Sequence, residues 1–105
     1  MASSKEYLDY ILEQLPKDVS CRAMMGEYVL YYRGRVIGGI YDDRFLVKPT
    51  ESAKSLMPNA PYELPYEGAK EMLLVESTDD RRFLLELMEA MYPELPESKA
   101  KRSKQ

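Results

Sequence analysis

Between Glu27 and Lys48 three apolar-rich runs, "EYVLYY", "RVIGGIY" and "RFLVK", are separated only by Arg33-Gly34 and Asp42-Asp43. Two residues cannot carry a parallel crossover, so successive runs must pair as antiparallel neighbours. Gly34 suits the first turn because a two-residue hairpin needs positive φ. These spacings predict a three-stranded meander in which Tyr32 faces Arg35 and Tyr41 faces Arg44. The pleat then assigns the remaining side chains. One face collects Val29, Tyr31, Val36, Gly38, Ile40, Phe45 and Val47. The other collects Tyr28, Leu30, Tyr32, Arg35, Ile37, Gly39, Tyr41, Arg44, Leu46 and Lys48. A slip of one residue in either turn would exchange the faces of one strand relative to its neighbour.

The flanking segments read as helices. Ser3 and Glu6 have capping-box spacing, and Leu8, Ile11, Leu12 and Leu15 recur at helical period before Pro16. Residues 19–25 permit a strand through the alternation of Val19, Cys21 and Ala23, with Gly26 as a bulge or bend. Thr50 suits the cap of a short helical turn over residues 51–56. A loop punctuated by Pro58, Pro61 and Pro65 follows, and "KEMLLVE" reads as a later strand. Ser77 or Thr78 is expected to cap a last helix, with Asp79 and Asp80 at its positive end and Phe83, Leu84, Leu87, Met88 and Met91 on its apolar face. The expected fold is a two-layer α+β domain over residues 1–92. It has an antiparallel sheet of four to five strands with the N- and C-terminal helices on one face, the face of Val29, Val36, Ile40, Phe45 and Val47. Gly38 on that face would let a helix approach closely. Residues 93–105 are expected to form a basic, disordered tail.

Composition narrows the function. The 105 residues include one cysteine and no histidine. The chain therefore lacks the usual base of Ser-His and Cys-His mechanisms, the commonest zinc and copper ligand, and any intramolecular disulfide. No apolar run approaches the roughly 20 residues of a membrane span, and the start of the chain has no secretory pattern, so a cytoplasmic protein is expected. The four cations Lys99, Lys101, Arg102 and Lys104 mask an acidic body. Without them 11 cations stand against 18 acids, a charge of −7 over residues 1–98, which disfavours phosphate-backbone binding by the folded part.

Each candidate site has a structural counterpart. Asp42-Asp43 with Glu27 could be an acid/base or metal pair, but adjacent residues on a hairpin tip diverge and a polar turn accounts for them. Gly38-Gly39 lies inside a strand with no Lys-Ser/Thr after it, so a phosphate loop gives way to packing glycines, with Tyr28 laid across Gly39. Cys21 lacks a resolving thiol and reads as a small, half-buried apolar residue. Burial could lower the pKa of Lys48, yet a strand-end lysine normally reaches water. The basic tail is either a solubility feature or a weak nucleic-acid contact through Lys99, Lys101, Arg102 and Lys104. Tyr28, Tyr32, Arg35, Tyr41 and Arg44 share one sheet face of aromatic and Arg composition, the kind that protein interfaces enrich. Two readings of that face stay open: an interface with a partner or second copy, and cover by residues 49–69. A cleft under the proline-rich loop of residues 58–69, lined by Tyr62, Tyr66 and Glu67, would suit a small-molecule binder or an enzyme.

The segment "CRAMMGEYVLYYRGRVIGGIYDDRFLVKPT" resembles the N-terminal domain of the TfoX/Sxy competence-regulator family. Arg22, Met24, Gly26, Gly34, Asp42 and Lys48 occupy that family's pattern positions, and Met25 stands where the pattern usually has Phe. The flanking helices and later strand extend the likeness over most of residues 3–92. The resemblance implies a bacterial α+β domain without established enzymatic activity or cofactor. Full-length members act as transcriptional co-regulators of competence genes with the cyclic-AMP receptor protein, and their second, helical domain has no counterpart in these 105 residues. The expectation is a non-catalytic regulatory or adaptor domain that binds a protein, such as a transcription regulator or a second copy of itself, with any nucleic-acid contact indirect or weak.

Overall fold

Two-residue turns organise the chain, and there are three of them rather than two. Met25-Gly26, Arg33-Gly34 and Asp42-Asp43 all have positive φ at both positions, the type I′ geometry that matches the twist of antiparallel strands. They link β1 (Val19–Met24), β2 (Glu27–Tyr32), β3 (Arg35–Ile40) and β4 (Phe45–Val47) into one meander. The structure is a computed structural model and describes residues 3–96.

Two shorter strands complete the sheet. β5 (Tyr62–Glu63) and β6 (Met72–Leu74) pair with each other, and β6 pairs with β4, giving six antiparallel strands in the order β1-β2-β3-β4-β6-β5. Three helices cover one face: α1 (Lys5–Gln14), α2 (Glu51–Leu56) and α3 (Arg81–Met91). The expected α+β architecture is present, with one strand more than the upper expectation because the proline-rich loop contributes β5.

Capping fixes where the helices begin. Ser4, not Ser3, caps α1, accepting a hydrogen bond from the Tyr7 amide at 3.1 Å. Ser3 instead donates to Glu27 Oε1 at 2.6 Å and accepts from the Asp43 amide at 3.0 Å. Thr50 caps α2 as expected. Asp80 caps α3, one turn element later than Ser77 or Thr78, because its carboxylate reaches the Phe83 amide at 3.0 Å.

The sequence partition of sheet faces fails at one residue. Tyr32 pairs with Arg35 and Tyr31 with Val36, as expected, but Leu30 then pairs with Gly38, leaving Ile37 as a β-bulge. The bulge changes the side on which β3 meets β2. Tyr28, Leu30 and Tyr32 therefore lie on the same side as Ile40, Phe45 and Val47, packed toward Ile11, Leu84, Leu87 and Met88 of the helices. Val29, Tyr31 and Val36 turn to the helix-free side.

The glycines of β3 are required by close approach. A methyl at Gly38 would collide with Leu46 O and lie 2.7 Å from Val47 Cα. The constraint is thus the neighbouring strand, not a helix. At Gly39 a Cβ would lie 2.5 Å from Tyr28 O and 2.6 Å from a ring carbon of Tyr41, so it is Tyr41, not Tyr28, whose ring lies across this glycine.

The folded part also runs further than residue 92. Pro93 sits in a short 3-10 turn, Tyr92–Glu94, which needs no amide from it, and Leu95 is buried in the core. Arg35 Nη1 donates to the carbonyls of Tyr92 and Leu95 at 3.0 and 3.2 Å, tying the start of β3 to both ends of the 3-10 turn that follows α3. Lys99, Lys101, Arg102 and Lys104 lie outside the described residues.

Candidate functional site

The five residues expected to form one interacting face are divided between two sides of the sheet, and each is engaged within the domain. Tyr32 is 1% exposed under α3 and donates its hydroxyl to Glu89 Oε2 at 2.9 Å. Burial, followed by that carboxylate contact, raises its phenol pKa. Tyr28 is half-buried on the helix side, and Arg35 stacks on the Tyr92 ring at 4.4 Å. Tyr41 is buried on the helix-free side, where burial and then the neighbouring Tyr66 raise its pKa. Arg44 clamps the proline-rich loop: Nη1 meets Glu63 Oε1 at 2.6 Å, Nη2 donates to Leu64 O, and Nε donates to Tyr41 O. The bulge at Ile37 and these anchors explain why the five residues do not form one continuous face.

The acidic turn is occupied by backbone donors. Glu27 Oε1 accepts from the Asp42 amide at 3.1 Å, and Asp43 Oδ1 accepts from the Ser4 amide at 2.8 Å. Together with Ser3 these carboxylates tie the start of α1 to the β3–β4 turn. Among the described residues no group of three or more His, Cys, Asp or Glu is placed to hold a metal ion.

Among the described residues, two of the features open to an outside molecule bear on the expected site. The first is the free edge of β1. Its residues 20–24 are exposed, including Cys21, against the expectation of a half-buried side chain. The Arg33 amide donates to Asp18 O at 3.1 Å; alternation along the ladder then turns the amides and carbonyls of Ser20, Arg22 and Met24 toward β2 and those of Cys21 and Ala23 away from it. At the end of this edge Met24 is 46% exposed and Met25 is 98% exposed. Met25 also has φ 54°, a left-handed conformation that costs a non-glycine residue about 1–2 kcal/mol. A sequence signal existed: "MG" stands between two runs that can pair at two-residue spacing.

The second is a cleft of about 340 Å³ on the helix-free side, between the sheet and residues 65–72. Val36, Tyr41, Lys48, Tyr66 and Met72 line it, whereas the expected Tyr62 and Glu67 do not. The Tyr41 and Tyr66 rings lie 6.0 Å apart, inclined at 55°. Tyr66 of this loop lies beside Tyr41, whereas Tyr28 and Tyr32 of the same expected face are on the helix side, so residues 49–69 do not cover that face as a whole. No helix among the described residues is long and apolar enough to cross a membrane.

No family model matches the chain, and no solved structure matches it. The chain is similar to a protein of Spirochaeta aurantia described as an uncharacterized 12.7 kDa protein in the trpE 5′ region, with 28% identity over 107 residues, spanning 99% of this chain and 93% of that relative.

Proposed function

We propose that the chain is a non-catalytic interaction domain that binds another protein through the open edge of β1 and the methionine tip beside it. The observation that carries this reading is Met25. A large apolar side chain stands in water, on a backbone conformation that Asn, Asp or Gly adopts more cheaply. Local choices that cost stability without any contact inside the fold concentrate at functional positions. Beside it, the outward amides and carbonyls of Cys21 and Ala23 offer a template for a partner's strand, while the exposed methionines can fill an apolar pocket on that partner. The resemblance of residues 21–50 to the competence-regulator domain supports a regulatory setting, with a transcription regulator or a second copy of this chain as the protein bound.

The test separates stability from binding with one substitution. Met25→Asn is expected to raise thermal stability by about 1 kcal/mol, because Asn tolerates the left-handed region. It is also expected to weaken association at least about tenfold through loss of a buried apolar anchor. Cys21 is the sole cysteine and is exposed, so a photo-crosslinker attached there reports contacts along β1. Crosslinks in lysate of the source cell that vanish in Met25→Asn would support the proposal. Crosslinks that persist unchanged in that variant, or a wild type that gives none to any protein or to itself, would overturn it.

A further inference from the structure

The cleft on the helix-free side of the sheet has the chemistry of a site, independent of the β1 edge. Its walls are apolar and aromatic, and its depth comes from segments that are held in place. Pro49 and Pro65 stiffen the two chain segments that border it, and the Arg44 clamp on Glu63 and Leu64 fixes the approach to Tyr66. Its volume of about 340 Å³ falls within the range of small-molecule pockets.

Two cations line this apolar space, and Lys48 is the half-buried one. Lys48 follows Val47, which points to the helices, so its side chain turns to the opposite side and lines the cleft. Its amide is fixed to Ile37 O at 3.0 Å, which holds the stem at the end of β4. The ammonium has no hydrogen bond or ion pair among the described residues, although the domain is acidic overall. Lys70 and Glu71 are exposed at the rim, so the charged residues of the lining sum to +1, and Lys48 is the cation among them that is withdrawn from water.

We propose that this cleft binds a small organic carboxylate, its apolar or aromatic body against Tyr41, Tyr66, Val36 and Met72 and its carboxylate on Lys48 Nζ. A carboxylate supplies the acceptor and the negative charge that a half-buried ammonium lacks, and a planar body matches the two inclined rings. Burial already lowers the Lys48 pKa, the effect expected of a cation removed from water without a counter-ion.

The experiment is an amide-resolved NMR titration of the full chain with 2-naphthylacetate, 3-phenylpropionate and decanoate, each paired with its uncharged amide. Shifts confined to Val36, Tyr41, Lys48, Tyr66 and Met72, with an acid binding at least about tenfold more tightly than its amide, are the expected result. Lys48→Met keeps an unbranched apolar stem, so it retains the fold and is expected to abolish the preference for the acid. Tyr66→Ala, on an exposed loop position, is expected to weaken acid and amide alike. The absence of shifts with all six compounds, equal affinity for acid and amide, or an acid preference that survives Lys48→Met would each overturn the proposal.

Discussion

Gly38→Ala tests the sheet register at its least forgiving point. The added Cβ would sit 2.7 Å from Val47 Cα and 3.0 Å from the Leu46 carbonyl carbon, with Leu46 O closer still. Carbon atoms in contact rest at about 3.5–4.0 Å, so the deficit approaches ~1 Å against the backbone of an adjacent strand. A side chain could rotate away from such a clash, but a hydrogen-bonded strand cannot. β4 must move off β3, or the bulge at Ile37 must be lost and the register with it. Overpacking of this kind costs about 3 kcal/mol or more. For a domain of this size that is a fall in Tm of roughly 12–24 °C by calorimetry or circular dichroism. Truncating helix side chains would bring no relief, because no helix is involved. A variant whose Tm falls by only a degree or two would refute the pairing of Gly38 with both Leu30 and Val47.

The remaining predictions concern the engaged tyrosine and arginine side chains. Tyr32→Phe removes the hydroxyl bonded to Glu89 and is expected to cost about 1 kcal/mol at neutral pH by denaturant titration. Because the folded pKa of Tyr32 lies above its unfolded value near 10, the unfolded chain releases this proton first. Its contribution is complete below pH ~10 and is lost as pH rises through the folded pKa. The variant should therefore lose stability less steeply than the wild type above pH ~10, and parallel curves would count against the argument. Arg44→Met is expected to release the loop at Glu63 and Leu64, speeding protease cleavage within residues 62–71 about tenfold while leaving the core intact. Unchanged cleavage would show that the clamp does not hold the loop.

The meander was legible in the sequence because its turn residues announce themselves. Gly34 accepts positive φ, and the Asp42-Asp43 pair is polar enough to sit at a tip, so strand order and the pairings nearest both turns follow from spacing alone. The β-bulge was not legible. Nothing in "RVIGGI" distinguishes the residue that is left unpaired, because the constraint on Gly38 comes from β4 backbone, a contact that exists only after the strands have docked. That single residue reverses β2 relative to the predicted partition and moves Tyr28 and Tyr32 from an imagined surface to the helix side. The third hairpin was missed for a different reason. Met25 is an unfavourable turn residue, so the local chemistry favours a bend at Gly26 over a two-residue turn with a methionine at its tip. The place of Lys48 at a strand end is readable from the sequence, whereas the cleft around it depends on where the proline-rich loop folds back.

The two borders of the sheet are unlike. β5 offers only two residues, between Pro61 and Pro65, neither of which has an amide proton to donate. β1 offers six. A strand can be added at one border and not at the other, so two copies joined through β1 consume every site at which growth could continue. Such a pair closes on itself about a twofold axis, and a continuous fibre cannot be built from it.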